Sequence, residues 1–324
     1  MSRRAVIIGT GHYLPDQVID NSWFEDKLDT TDEWIRSRTG IERRHFAAEG
    51  QNTSDLAIRA ARAALDKAGL QPDDLDGIIL ATSTPDFTFP AVATMVQAGL
   101  GMTRGFAFDV QAVCAGFVFA LANADAMIRA GQASRLLVIG AETFSRIMDW
   151  TDRGTCVLFG DGAGAVVVEA QQGSGESTDR GILSSDLNSD GQYRELLHVD
   201  GGVSSTGTAG HLRMQGNLVF RHAVEKLART AHTALDRAGL QPGDVDWLVP
   251  HQANMRIIAA TAQKMQLPLE KVVLTVADHG NTSAASIPLA LSVADGEGRF
   301  KPGDVIVTEA IGGGLSWGSV VLRW

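Results

Sequence analysis

Cys114 stands in the run Phe108-Asp109-Val110-Gln111-Ala112-Val113-Cys114-Ala115-Gly116-Phe117, where a short apolar segment gives way to helix-forming residues. A thiol at a helix N-terminus sits at the positive end of the dipole, which favours the thiolate, and the free amides of the first turn can hold an oxyanion. That is the equipment of a nucleophile for carbonyl carbon; the plainer alternative is a small buried core residue. Cys156, in Thr155-Cys156-Val157-Leu158-Phe159, has no such setting and reads as core packing. His251, in Val249-Pro250-His251-Gln252-Ala253-Asn254, follows an apolar strand at the end where open α/β sheets place their ligands. The other seven histidines show neither HxH nor HExxH spacing, so no metal site is read. Asn281, in His279-Gly280-Asn281-Thr282-Ser283-Ala284-Ala285-Ser286, occupies a third such corner, between a strand expected over 272–276 and a helix. Its alternative role is a helix cap. The run Ile311-Gly312-Gly313-Gly314-Leu315-Ser316-Trp317-Gly318 can bring a backbone amide against a reacting carbonyl, whereas Gly160-Asp161-Gly162-Ala163-Gly164 reads as a tight turn between strands. Gly9-Thr10-Gly11 lacks the third glycine of a dinucleotide fingerprint and is followed by Pro15, which argues against a nucleotide-binding oxidoreductase.

The elements that must position these residues repeat. Residues 64–80, ALDKAGLQPDDLDGIIL, and 234–250, ALDRAGLQPGDVDWLVP, are identical at ten of seventeen positions with an offset of 170. A second match pairs Arg135–Ile139 with Asp304–Thr308 at an offset of 169. So long a period suggests duplication of a half rather than a solenoid. The Gly/Ser-rich run 171–177 divides the chain, giving expected halves of 1–172, carrying Cys114, and 173–324, carrying His251 and Asn281. Cys114 and Asn281 are 167 residues apart, so they fall in nearly equivalent corners that could meet at one central site. In the first half, apolar segments at 6–9, 78–82, 107–110, 136–139 and 165–169 read as strands. Helices are expected over 52–68, 90–100 and 116–130. Short all-apolar strands between helices imply sheets covered on both faces, hence a layered α/β architecture, and Ala57, Ala60, Ala61, Ala63 and Ala64 permit close packing between layers.

Composition narrows the function. The chain has 324 residues, 44% hydrophobic and 20% charged, as a globular protein with a sizeable core has. Its 28 basic against 38 acidic residues give a net charge of −10, which argues against nucleic acid as a partner. Two cysteines make no disulfide framework. No uninterrupted apolar stretch reaches the length of a membrane span, and Met-Ser-Arg-Arg leads at once into a strand, so neither a signal peptide nor a membrane is expected and the cytoplasm is the default.

Taken together, the Cys114, His251–Asn254, Gly280–Ser286 and Gly312–Gly318 segments resemble the β-ketoacyl-acyl carrier protein synthase III family, the initiating condensing enzymes of bacterial fatty acid synthesis. Thr30-Thr31-Asp32-Glu33-Trp34-Ile35, Arg38-Thr39-Gly40-Ile41 and Thr151-Asp152-Arg153-Gly154-Thr155 are similar to further motifs of that family. Elongating relatives have a second histidine where Asn281 stands, and thiolases carry a second reactive cysteine in the C-terminal glycine segment, which 312–318 lacks. The resemblance implies a thiolase-like α/β/α/β/α fold of two duplicated halves and a Cys114–His251–Asn281 triad with an oxyanion hole at the Cys114 and Gly313 amides. It implies a coenzyme A channel along Thr30, Trp34, Arg38, Arg153, Gly216 and Asn254, and an acyl pocket bounded by Ile311 and Phe89, the latter reaching a partner subunit of a homodimer. Acyl-CoA and malonyl-acyl carrier protein are then the substrates, with no metal or redox cofactor. The acidic carrier would be met by Arg221, Gln252, Ala253, Asn254, Met255 and Arg256. The same resemblance fits a starter-unit condensing or acyl-transfer enzyme of secondary metabolism that uses a different acyl-CoA.

Overall fold

The computed structural model describes residues 2–324. Five strands form the first sheet in the order Ser2–Tyr13, Asp161–Gly173, Arg135–Thr143, Gly77–Ala81 and Phe106–Val110. The last three are parallel, and Asp161–Gly173 runs antiparallel to both of its neighbours. The second sheet orders Trp247–Pro250, Val305–Gly312, Ser316–Arg323 and Gly181–Ser189, of which the first two are parallel. Between the sheets lie the helices Gly116–Arg129 and Ser286–Gly296. They share one apolar core with both sheets, including Phe117, Leu121, Ile287 and Leu291. Thr53–Ala68 and Val92–Leu100 cover the outer face of the first sheet, and Gly216–Arg237 and Met255–Lys264 that of the second. The result is the five-layered α/β/α/β/α thiolase fold.

Local sequence explains the register of these layers. Thr53–Ala68 starts at a capping box between Asn52 and Asp55 and stops at Gly69, whose φ of 68° is the left-handed conformation that ends helices. Its alanines meet the first strand so closely that a Cβ at Gly11 would stand 2.3 Å from the Ala64 amide nitrogen. The 170-residue offset holds in three dimensions: Gly77 pairs with Leu136 as Trp247 pairs with Ile306, one residue from the 169 offset read in the sequence. Short 3-10 turns at Val113–Ala115 and Ser283–Ala285 open the two central helices, and Val113 and Ser283 both hold φ at 49°. Cys114 is therefore equivalent to Ala284, and Asn281 lies three residues upstream in the matching corner.

Two expected elements differ. Residues 272–276 form no strand; Val272 makes one isolated bridge to Leu248, and Val276–His279 is a helical turn. Asp161–Gly164 belongs to the strand Asp161–Gly173 and not to a turn. There Gly164 admits the backbone of Ser286–Gly296, whose Leu289 nitrogen would lie 2.4 Å from an added Cβ.

Candidate active site

Cys114, His251 and Asn281 are all buried and line one cavity of about 280 Å³, together with Ile311. Three chain segments fix them. Cys114 follows the strand Phe106–Val110 on the left-handed Val113, a strained conformation that sets the side chain at the mouth of the helix Gly116–Arg129. The glycine segment closes over it: a Cβ at Gly312 would meet the Cys114 amide nitrogen at 2.6 Å. Asn281 is strapped by its backbone, its N–H donating to Leu158 O (2.8 Å) and its carbonyl accepting from Gly160 N (3.0 Å). Its Oδ1 accepts from Ser283 N at 2.9 Å, which turns the two N–H groups of the amide away from that contact. His251 leaves the strand Trp247–Pro250 with its own N–H bonded to Glu309 O (2.8 Å) and its Nδ1 2.7 Å from Ser286 Oγ.

Electrostatics inside the cavity follow burial. The Cys114 thiol is pushed up to about 12 by desolvation, which outweighs the opposite pull of the Ser283 hydroxyl and is joined by a smaller push from the Glu142 carboxyl. This reverses the expectation that the helix end leaves a resting thiolate: desolvation outweighs a terminus effect of about 0.3–2 kcal/mol. His251 is brought down to about 3 by burial, so its imidazole is neutral at any working pH. Two buried carboxyls escaped the sequence reading. Glu142 is raised to about 7 by desolvation, although Thr84, Ser83 and Thr82 donate to one of its oxygens. Glu309 is raised to about 8 with neither oxygen hydrogen-bonded. Only an acid within a mostly apolar strand run, as in Val305-Ile306-Val307-Thr308-Glu309-Ala310, signalled it.

Glu309 yields a prediction about stability. Its folded value stands above the ordinary 4.5, so its contribution is fully present below pH 4.5 and is lost as pH rises through about 8, at about 1.4 kcal/mol per pH unit. Glu309→Gln will flatten that part of the profile, measured as the difference in urea-unfolding free energy between pH 5 and pH 8.5. Identical slopes for the two proteins would mean that the folded carboxyl is ionised.

The surrounding residues divide by position. Trp34, Arg38, Gly216, Asn254 and Arg256 line the outer part of the same cavity. Two guanidiniums approach the Trp34 ring, Arg38 at 4.6 Å and Arg153 at 4.8 Å from its centroid, and Arg153 is held by the Asp29 carbonyl. Thr30 is outside the lining, with its hydroxyl buried and unbonded. Gly313 lines a neighbouring cavity of about 760 Å³ with Val113, Leu197 and Phe87. Phe89 is 83% exposed and far from lining its own chain's cavity. Arg221 and Arg256 are exposed, while Ala253, Asn254 and Met255 are half-buried. Gln252 corrects an expectation: it is fully buried and cannot touch a carrier protein. Its Nε2 donates to Pro250 O and Val273 O, and its Oε1 accepts from Thr275 N and Val276 N, because the turn after His251 needs an internal clamp.

A thiolase fold with a cysteine, a histidine and an asparagine meeting in one buried cavity defines an acyl-transferring condensing enzyme. The family descriptions "3-Oxoacyl-[acyl-carrier-protein (ACP)] synthase III" and its C-terminal counterpart match residues 108–191 and 235–324. Beta-ketoacyl-[acyl-carrier-protein] synthase III of Paracoccus denitrificans is 80% identical over 322 residues, covering 99% of this chain and 100% of the relative. The crystal structure of 3-oxoacyl-[acyl-carrier-protein] synthase III from Aquifex aeolicus superposes with a TM-score of 0.93 at 47% identity, covering 99% of this chain and 100% of the other. The priming β-ketosynthase of the R1128 polyketide pathway gives a TM-score of 0.93 at 33% identity, covering 99% and 96%. The chain belongs to the β-ketoacyl-[acyl-carrier-protein] synthase III family, the initiating condensing enzymes of fatty acid synthesis.

Proposed function

We propose that the three cavity residues divide the condensation of an acyl-CoA with malonyl-acyl carrier protein between them. The Cys114 sulfur attacks the acyl-CoA carbonyl; the carbon–sulfur bond to coenzyme A breaks, and the proton lost by Cys114 ends on the coenzyme A thiol. The oxyanion is held by the amide of Cys114 and, as in the family pattern, that of Gly313. Malonyl-acyl carrier protein then loses CO2, and the electron pair of the broken bond passes to the thioester oxygen as an enolate. His251 Nε2 and Asn281 Nδ2 donate hydrogen bonds to that oxygen. The enolate carbon attacks the acyl group, the bond to Cys114 Sγ breaks, and the thiolate regains a proton from water. No metal or redox cofactor enters these steps. The observation that carries this reading is the tie of Asn281 Oδ1 to Ser283 N, because it leaves the side chain only donors to offer the cavity.

The outer cavity fits coenzyme A, with Trp34 offering a face to adenine and Arg38 and Arg153 facing phosphates, Gly216 and Asn254 flanking the channel, and Thr30 behind it. Arg221 and Arg256, with Ala253, Asn254 and Met255, form the surface that meets the acidic carrier. The exposed Phe89 ring is suited to enter the acyl pocket of a second subunit, making the working enzyme a homodimer. Among the described residues no helix is long and apolar enough to cross a membrane, and the cytoplasm is the proposed site of action. Acetyl-CoA is the proposed primer, and Ile311 is one of the aliphatic residues that line the cavity with Cys114. Intact-protein mass after incubation with acetyl-, branched and longer acyl-CoA thioesters tests this. An acetyl adduct is the expected result; adducts from longer or branched groups alone would replace the primer, as would suit a starter enzyme of secondary metabolism. No adduct from any thioester would overturn the reading.

A further inference from the structure

We propose that Ser286 is a positioning residue that fixes His251 as the Nε2–H tautomer and so aims a donor, never an acceptor, at the reacting atoms. This rests on the reading above in which His251 stabilises the enolate oxygen. The case is a count of hydrogens. Ser286 Oγ lies 2.7 Å from His251 Nδ1 and also accepts the Gln252 backbone N–H at 3.3 Å. A hydroxyl has a single proton to give, and among the described residues Ser286 has no other acceptor for it, so it goes to Nδ1. An Nδ1 that accepts is unprotonated, and a neutral imidazole then carries its proton on Nε2. Burial keeps His251 neutral, which leaves the tautomer as the only variable to be set. Nε2 has no protein partner among the described residues and belongs to the side chain that lines the cavity with Cys114 and Asn281.

The internal repeat shows that this contact is built into the architecture. At the 170-residue offset, His251 corresponds to Ala81 and Ser286 to Gly116, the first residue of the other central helix. In the first half those two positions also touch: a Cβ at Gly116 would stand 3.0 Å from the Ala81 Cβ. The same strand-end to helix-start contact is thus apolar in one half and a histidine–serine hydrogen bond in the other. One consequence concerns the order of events. With Nε2 already protonated, His251 cannot take the Cys114 proton, so the histidine serves decarboxylation and condensation and leaves acyl transfer from coenzyme A to the cysteine and its helix.

The test is ¹⁵N NMR of protein labelled at histidine, with His251 signals identified by their absence from His251→Asn. The expected wild-type spectrum has an unprotonated Nδ1 and a protonated Nε2 at pH 7. Ser286→Ala should mix or invert the tautomers and lower condensation about 10- to 100-fold, the loss of one well-aimed hydrogen bond, while acylation of Cys114 proceeds. Ser286→Thr, which keeps the hydroxyl, should restore both tautomer and rate. A merely structural serine would move neither the tautomer nor the balance between the two half-reactions. A wild-type His251 protonated on Nδ1 overturns the proposal, and so does Ser286→Ala with the native tautomer and full condensation. If Ser286→Ala does not fold, the wild-type spectrum still decides. The donor reading fails separately, if His251→Ala, which has no donor to offer, condenses at the wild-type rate.

Discussion

Cys114→Ser will lower condensation by about 10⁴-fold or more and will carry no acyl group after incubation with acyl-CoA, as read by intact mass and by single-turnover kinetics. The size of the loss follows from the site's lack of a general base. A thiol pushed up to about 12 can still react, because sulfur is intrinsically nucleophilic and its proton passes to the departing coenzyme A. A serine hydroxyl is a poorer nucleophile with a tighter proton, and the neighbouring imidazole has burial and Ser286 against its accepting one. Decarboxylation of malonyl-acyl carrier protein depends on His251 and Asn281 and should survive in the variant, which separates loss of the nucleophile from loss of the fold. An adduct that persists in Cys114→Ser would move the nucleophile elsewhere, with the buried Cys156 the first place to look.

The fold was legible to the extent that periodicity and repeats report burial. The all-apolar strands and the 170-residue echo carried the layers, since each half solves the same packing problem with the same segments. Gly160–Gly164 was misread because glycine more often marks a turn; here it removes side-chain volume so that a helix can rest on a strand. The apolar run 272–276 touches Leu248 only at Val272 and Val273 and does not continue as a strand, because the Thr275 and Val276 amides are spent on Gln252 Oε1. Gln252 itself reads as a surface residue by type, and only its four buried hydrogen bonds explain it. At the site, residue types at strand ends and the family motifs pointed to Cys114, His251 and Asn281, but not to their protonation. The competition between desolvation and a helix terminus is decided by burial, and the orientation of an amide or an imidazole by partners such as Ser283 and Ser286 that local sequence does not identify.

Asn281→Ala and His251→Ala should each lower condensation about 10²- to 10³-fold while acylation of Cys114 continues, so that acyl-enzyme accumulates. Each change removes one donor from an oxygen that gains charge only when CO2 leaves, and so the cost falls on the second half-reaction. The double variant should fall short of the product of the two losses, because both donors serve the same atom. Asn281→Asp is the more informative substitution. Its carboxylate can still accept from Ser283 N as Oδ1 does, but the atom presented to the cavity becomes an anionic acceptor facing a developing enolate. It should therefore be slower than Asn281→Ala, with part of its activity returning as pH falls and the carboxyl takes up a proton. Measuring ¹⁴CO2 release from labelled malonyl-acyl carrier protein across pH 5 to 9 distinguishes the cases. If Asn281→Asp matches wild type, or if acylation falls in step with condensation in either alanine variant, Asn281 and His251 act on the nucleophile and not on the enolate, and the division of labour drawn here is reversed.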